Sequence, residues 1–245
     1  MAGVSAKLTE SAADLISNFA KPMPKLTTLR TPPLAVVKLG GSQIRSPQLH
    51  QWVAALAAQA GRVVVVTGGG PFADAVRDAQ ASIGFDDVAA HEMAMVAMGQ
   101  FARALVGVDD VFRVVESRAA ILKALSEGKT PVWSPVRMTL AARLPATWDL
   151  TSDGLSAWLA VQLGVEKLIL VKHGRFAKTG VALDDLALDG IVDPLFARFV
   201  HEGRLKVEIA GPEDAERLAE GLRRPLFPEI LTGMTEETPL RPLRP

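Results

Sequence analysis

Leu34-Ala35-Val36-Val37-Lys38-Leu39-Gly40-Gly41-Ser42 is apolar throughout save for one lysine, and it runs straight into two glycines. A continuous apolar run of this length predicts a strand buried on both faces, as in a parallel sheet, rather than one with a wet side. Beyond it, Ser46-Pro47 predicts a helix N-cap with proline at the first helical position. Leu49, Trp52, Val53, Leu56, Ala57 and Ala60 then share one helical face, and Gly61 ends it. The unit is repeated at once. Residues 62–66 predict a second strand, followed by Gly68-Gly69-Gly70-Pro71 and a helix to about Ser82.

Further along, a long helix is predicted over 87–106, with Met93, Val96, Ala97 and Phe101 at helical spacing and Met95 and Met98 on a neighbouring stripe that reads as core packing. Strands are expected at 111–115, 131–133, 167–171 and 206–210, and helices after Ser117 and over 152–163, 193–201 and 212–222. Strands alternating with helices make βαβ units. The expected fold is therefore α/β, a three-layer αβα sandwich with a mainly parallel central sheet. It occupies residues 33–232, between a helical or disordered extension over 1–32 and a flexible tail over 233–245.

The 245 residues carry 27 Lys+Arg and 27 Asp+Glu, so no overall charge draws the chain to nucleic acid or to an anionic membrane, and any anion site must be local. The absence of cysteine excludes a thiolate nucleophile and Cys-based metal centres. Although 49% of the residues are hydrophobic, no run approaches the roughly 20 needed to span a bilayer. The N-terminal stretch is punctuated by Glu10, Asp14 and Asn18, unlike a secretory signal. A soluble, cytoplasmic protein is expected.

Two strand ends in one sheet each deliver a run of glycines, and open α/β sheets bind ligands beyond the carboxyl ends of their strands. Glycine lets the backbone approach anionic oxygens, and each following helix adds the positive end of its dipole. Neither turn matches the Walker A or dinucleotide fingerprint; both also fit plain tight βα turns. Lys38 is the sharper clue. An ammonium near the end of a buried strand is costly without a partner, and phosphoryl transfer needs positioned positive charge. Asp153, in Leu150-Thr151-Ser152-Asp153-Gly154 at a helix start, is its natural counterpart, with N-terminal capping as the alternative.

Lys38-Leu39-Gly40-Gly41-Ser42, Thr67-Gly68-Gly69-Gly70-Pro71 and Thr151-Ser152-Asp153, leading into Ala157-Trp158-Leu159-Ala160 and Leu168-Ile169-Leu170-Val171, together resemble the amino-acid kinase superfamily of acetylglutamate, aspartate, carbamate and uridylate kinases. The resemblance runs from about Pro33 to Ile230. It implies that Lys38, Gly40, Gly41 and Ser42 hold the phosphates of ATP, that Gly68, Gly69 and Gly70 bind the acceptor, and that Asp153 organises the lysines, with Lys38 and Asp153 catalytic. ATP and Mg2+ are the implied cofactors, with no protein metal site. A small-molecule phosphate acceptor and a homo-oligomer are the implied partners.

Two departures stand out. Relatives carry a second lysine in a Gly-Gly-Met-x-x-Lys segment, where this chain reads Gly190-Ile191-Val192-Asp193-Pro194-Leu195-Phe196; Lys172 is the best substitute by position, as an ATP ligand, with a plain surface role as the other reading. The closing Gly-Thr of relatives is replaced by Phe227-Pro228-Glu229-Ile230. On the acceptor side, Ala90-His91-Glu92-Met93-Ala94-Met95 resembles the uridylate-kinase-like branch, which implies His91 as an acceptor-binding residue, an ordinary packed histidine being the alternative. Within that branch the short length, the Asp193-Pro194-Leu195-Phe196 segment and the Trp148 to Trp158 motif look like the kinases of methanofuran and methylofuran biosynthesis, which act on an aminomethylfuran methyl phosphate. Uridylate or carboxylate kinases, an anion-binding or storage protein of the same fold, and an inactive regulatory homologue are the competing classes.

Overall fold

A computed structural model describes residues 35–174 and 182–222. Six strands form one sheet in the order β3-β4-β2-β1-β5-β6: β1 Ala35–Leu39, β2 Val63–Thr67, β3 Phe112–Val115, β4 Thr130–Trp133, β5 Lys167–Val171 and β6 Lys206–Ala210. Every pairing is parallel. The helices are α1 Leu49–Ala57, α2 Gly70–Ile83, α3 Asp87–Val108, α4 Arg118–Ser126, α5 Val136–Ala142, α6 Ser152–Leu163, α7 Leu183–Leu188, α8 Phe196–Gly203 and α9 Ala215–Ala219. A 3-10 turn spans Gly41–Arg45.

Period-two alternation along the buried strands divides the core in two. Val36, Val64, Val66, Leu168 and Leu170 pack on one face with Leu155, Leu159 and Leu163 of α6 and Phe196 of α8. Ala35, Val37, Leu39, Ile169 and Val171 pack on the other with Trp52 and Leu56 of α1 and Leu218 of α9. This is the expected αβα sandwich, and its sheet is wholly parallel. Lys38 follows Val37, so it shares the side of Val36 and points toward α6. In register, Lys38 lies beside Leu170, which places Lys172, two residues on, on that same side just past the strand end.

Several elements differ in detail from the sequence reading. The first helix begins at Leu49, because Ser46 Oγ accepts a bond from the Gln48 N–H and holds residues 46–48 in a turn. Asp193 lies ahead of α8 rather than within a helix. The short helices α5 and α7 have no expected counterpart, since six or seven residues hold too few turns for a readable period. Ser117 caps α4 as expected, accepting from the Ala120 N–H at 3.2 Å. The extension over 1–32, the tail over 233–245 and Phe227-Pro228-Glu229-Ile230 fall outside the described residues.

Candidate active site

The β1 and β2 turns lie against each other, and their glycines have a packing reason of their own. A Cβ on Gly41 would stand 2.2 Å from the Gly70 nitrogen, and one on Gly68 would stand 2.4 Å from the Gly41 nitrogen. Gly70 also holds a φ of +53°, where side chains are disfavoured. Not every turn N–H is free for a ligand, contrary to the simplest reading of a cradle. Gly40 donates to the Val171 carbonyl at 3.1 Å and Gly68 to that of Leu39 at 2.8 Å, prolonging the sheet. The N–H groups of Gly41 and Ser42, at the open end of the 3-10 turn, have no backbone partner among the described residues.

Above these turns lies a cleft of about 580 Å³. Its lining includes Lys38, Gly41, Ser42, Gly68, Gly69, Gly70, His91 and Asp153; Gly40 and Lys172 stand behind that surface. At the cleft floor Lys38 Nζ lies 2.9 Å from Asp153 Oδ1. Lys172 Nζ donates to Asp153 Oδ2 at 2.5 Å and to the Ile191 carbonyl at 2.5 Å. Lys38 and Asp153 are each only 5% exposed. Lys172 is largely covered rather than a plain surface residue, and it brings a second ammonium to Asp153 from the end of β5.

Asp153 does not cap its own helix. The first-turn Gly154 N–H is instead satisfied from another segment, by Asp193 Oδ2 at 2.7 Å, which also accepts from Thr151 N at 3.0 Å and Thr151 Oγ1 at 2.9 Å. Sequence alone places Asp193 in a segment that carries a family resemblance and assigns it no place in the site.

Burial shapes the charges. Desolvation would raise the Asp153 carboxyl, but the ammonium groups of Lys38 and Lys172 overcome it and hold the group below the usual carboxylate range. Burial, with repulsion from Lys38, lowers Lys172 to about 8. Burial, reinforced by the Asp153 charge, raises Asp193 to about 6.

The other end of the cleft is built differently. His91, on α3, faces it and is 5% exposed. Its Nδ1 lies 3.1 Å from the Thr147 carbonyl, and its buried Nε2 has no partner among the described residues. Burial lowers its pKa, and the Thr147 bond offsets part of that; the ring is neutral at pH 7. Met95 and Met98 line the same wall, so they meet the cleft as well as the core. At the rim the Arg77 guanidinium stacks 4.3 Å over the Trp148 ring, whose Nε1 donates to Gln80 Oε1 at 3.0 Å. Arg45 also lines the cleft. Neither arginine was singled out from sequence, since isolated helix and turn arginines carry no spacing signal.

The profile of the amino acid kinase family matches residues 33–174, more than half of the chain and every element from β1 to Lys172. The chain belongs to the amino acid kinase family. No curated protein sequence matches it. Among solved structures, uridylate kinase from Archaeoglobus fulgidus superposes with a TM-score of 0.61 at 16% identity, over 80% of this chain and 97% of that one. UMP kinase from Ureaplasma parvum gives 0.56 at 12%, over 75% and 91%. Aspartate kinase from Synechocystis gives 0.53 at 13%, over 73% and 37%. At these identities the likeness concerns the amino acid kinase fold. No described helix is long and apolar enough to cross a membrane.

Proposed function

We propose that this member of the amino acid kinase family transfers the γ-phosphoryl group of ATP to a small phosphate acceptor. The observation that carries the reading is the convergence of Lys38 and Lys172 on Asp153 at the floor of the cleft, beside both glycine turns. Two ammonium groups converging on one carboxylate concentrate preorganised positive charge at the cleft floor in a poorly solvated place, which is what a transferring phosphoryl group requires. Lys172, just past the end of β5, would supply the charge missing from the Gly190–Phe196 segment, which weakens the case for a storage protein.

The residues fit an anionic nucleotide. Lys38, Lys172 and the free N–H groups of Gly41 and Ser42 would hold its phosphates, and Gly69 and Gly70, at the start of α2, would face the acceptor phosphate. Among the described residues no cluster of His, Asp or Glu could hold a metal ion; magnesium, carried by the nucleotide, would neutralise phosphate charge. An acceptor phosphate oxygen attacks the γ-phosphorus in line. The new O–P bond forms as the bond to the bridging oxygen breaks, and ADP leaves. Lys38 and Lys172 stabilise the charge on the moving group. An ionised phosphate needs no general base, so the neutral His91 orients the acceptor rather than taking a proton.

For the acceptor itself, the reading favours an aminomethylfuran methyl phosphate, converted to its diphosphate. The support is the resemblance carried by the Asp193-Pro194-Leu195-Phe196 segment and the Trp148 to Trp158 motif, together with Arg45, Arg77 and the flat Trp148 ring at the cleft. ADP release from MgATP with that phosphate, UMP and small carboxylates tests it. Turnover of the furan phosphate is expected; turnover of UMP or a carboxylate alone would overturn the acceptor assignment, and no ADP with any acceptor would favour an anion-binding protein of this fold.

A further inference from the structure

We infer that Asp193 is a positioning residue of the transfer site, tying the first turn of α6 to the segment that carries the Ile191 carbonyl and so holding Asp153 and Lys172 in place. The inference deepens the kinase reading and rests on it for its effect on turnover.

Three bonds define the arrangement. Asp193 Oδ2 accepts from Thr151 N, Thr151 Oγ1 and Gly154 N, the residues on either side of Ser152 and Asp153. Asp153 is thereby pinned from both flanks. Two residues before Asp193, the Ile191 carbonyl accepts from Lys172 Nζ. One short segment therefore fixes the carboxylate that the lysines share and one of the lysines themselves.

The sequence of α6 is fitted to this contact. Gly154 lies in its first turn, where glycine costs helix stability relative to alanine. A Cβ there would stand 2.6 Å from Asp193 Oδ1 and 2.7 Å from Leu150 Cδ1. Glycine admits the carboxylate to the helix end. A cap alone would not call for a buried carboxylate, since serine, threonine or asparagine serves as well. Asp193 is 6% exposed and its Oδ1 has no hydrogen-bond partner. What that second oxygen offers is charge. Among the described residues, the charged groups facing Lys172 are Lys38 from β1, Asp153 from α6 and Asp193 from the loop before α8. With Asp193 ionised the four-group cluster is balanced, and Lys172 keeps its proton against burial and the repulsion of Lys38.

Asp193→Asn tests this, because asparagine keeps an acceptor for Gly154 and Thr151 but removes the charge. The pKa of Lys172 is read by competitive acylation of the intact protein followed by mass spectrometry, which needs no nucleotide. In the variant it is expected to fall by about one unit, and the alkaline limb of kcat/KM for MgATP should move down in pH by the same amount. Gly154→Ala, which displaces the carboxylate while leaving it ionised, should lower kcat although alanine favours the helix. An unchanged Lys172 titration in folded Asp193→Asn protein overturns the charge coupling, and an unchanged kcat in folded Gly154→Ala protein overturns the positioning. Should the wild type release no ADP with any acceptor, the kinase reading falls, while the acylation result still decides the coupling of Asp193 to Lys172.

Discussion

At one end of the cleft, Lys38, Asp153, Lys172 and Asp193 come from β1, α6, the end of β5 and the loop before α8, and all but the partly covered Lys172 are buried. At the other end an exposed Arg77 stacks on a half-buried Trp148, above a neutral His91 and two methionines. In the proposed transfer, the contrast follows from what each end would do. Stabilising a transferring phosphoryl group needs fixed charge in a place with little water, where each interaction is stronger. Such a cluster is costly: desolvation pushes Lys172 down and Asp193 up, each toward its neutral form. Holding an acceptor needs shape and one or two polar anchors, and it tolerates solvent.

The largest difference between the ends should come from Lys38→Ala. It removes an ammonium from the cleft floor while Lys172 still pairs with Asp153, so the fold is expected to remain intact by circular dichroism. kcat should fall about a thousandfold, the upper range for losing one preorganised charge-stabilising donor. Near wild-type turnover would refute the role of Lys38 and erase the distinction between the two ends.

That distinction also tracks what could be read from sequence. The alternation of apolar runs with helical faces determines the sandwich, because burial on both faces leaves a continuous apolar signature at each strand. Lys38 stands out because it interrupts such a run. Asp153 is visible only through its company at a helix start, and its partner cannot be read locally: Lys172 lies 19 residues away and reaches it only through sheet register. Asp193 is harder still. It stands 39 residues from Gly154 in a segment without period, and its meaning depends on a glycine whose helix penalty looks like a defect until the carboxylate is placed against it. The stack of Arg77 on Trp148 joins a helix to a loop and has no linear signal either.

Lys172→Ala should have the next largest effect, about a hundredfold in kcat, because Lys38 remains to hold the phosphates; a change of only a few-fold would make Lys172 a support rather than a participant. The wild-type pH profile provides a companion measure. Lys172 in the free enzyme loses its proton near pH 8, and the charged form is the useful one. kcat/KM for MgATP should therefore decline as pH rises through about 8. Bound phosphates favour the ammonium, so the limb in kcat should lie at higher pH. The limb in kcat/KM should vanish in Lys172→Ala. If it persists there, another group is titrating.

The smallest effect belongs to the acceptor end. Trp148→Ala removes the surface on which the Arg77 guanidinium rests, an interaction worth about 1 kcal/mol at a partly exposed site. By the usual relation between free energy and affinity this is about fivefold in KM for the acceptor. The KM for MgATP and kcat should change little, since neither lysine at the cleft floor touches this stack. A KM effect confined to the acceptor would separate specificity from transfer along the cleft. An equal loss in kcat would mean that the rim also orients the attacking oxygen, because a remote contact lowers kcat only when its binding energy is used in the transition state. In that case the solvent-open stack would be part of the transfer apparatus, and the two ends would act as one unit despite their different construction.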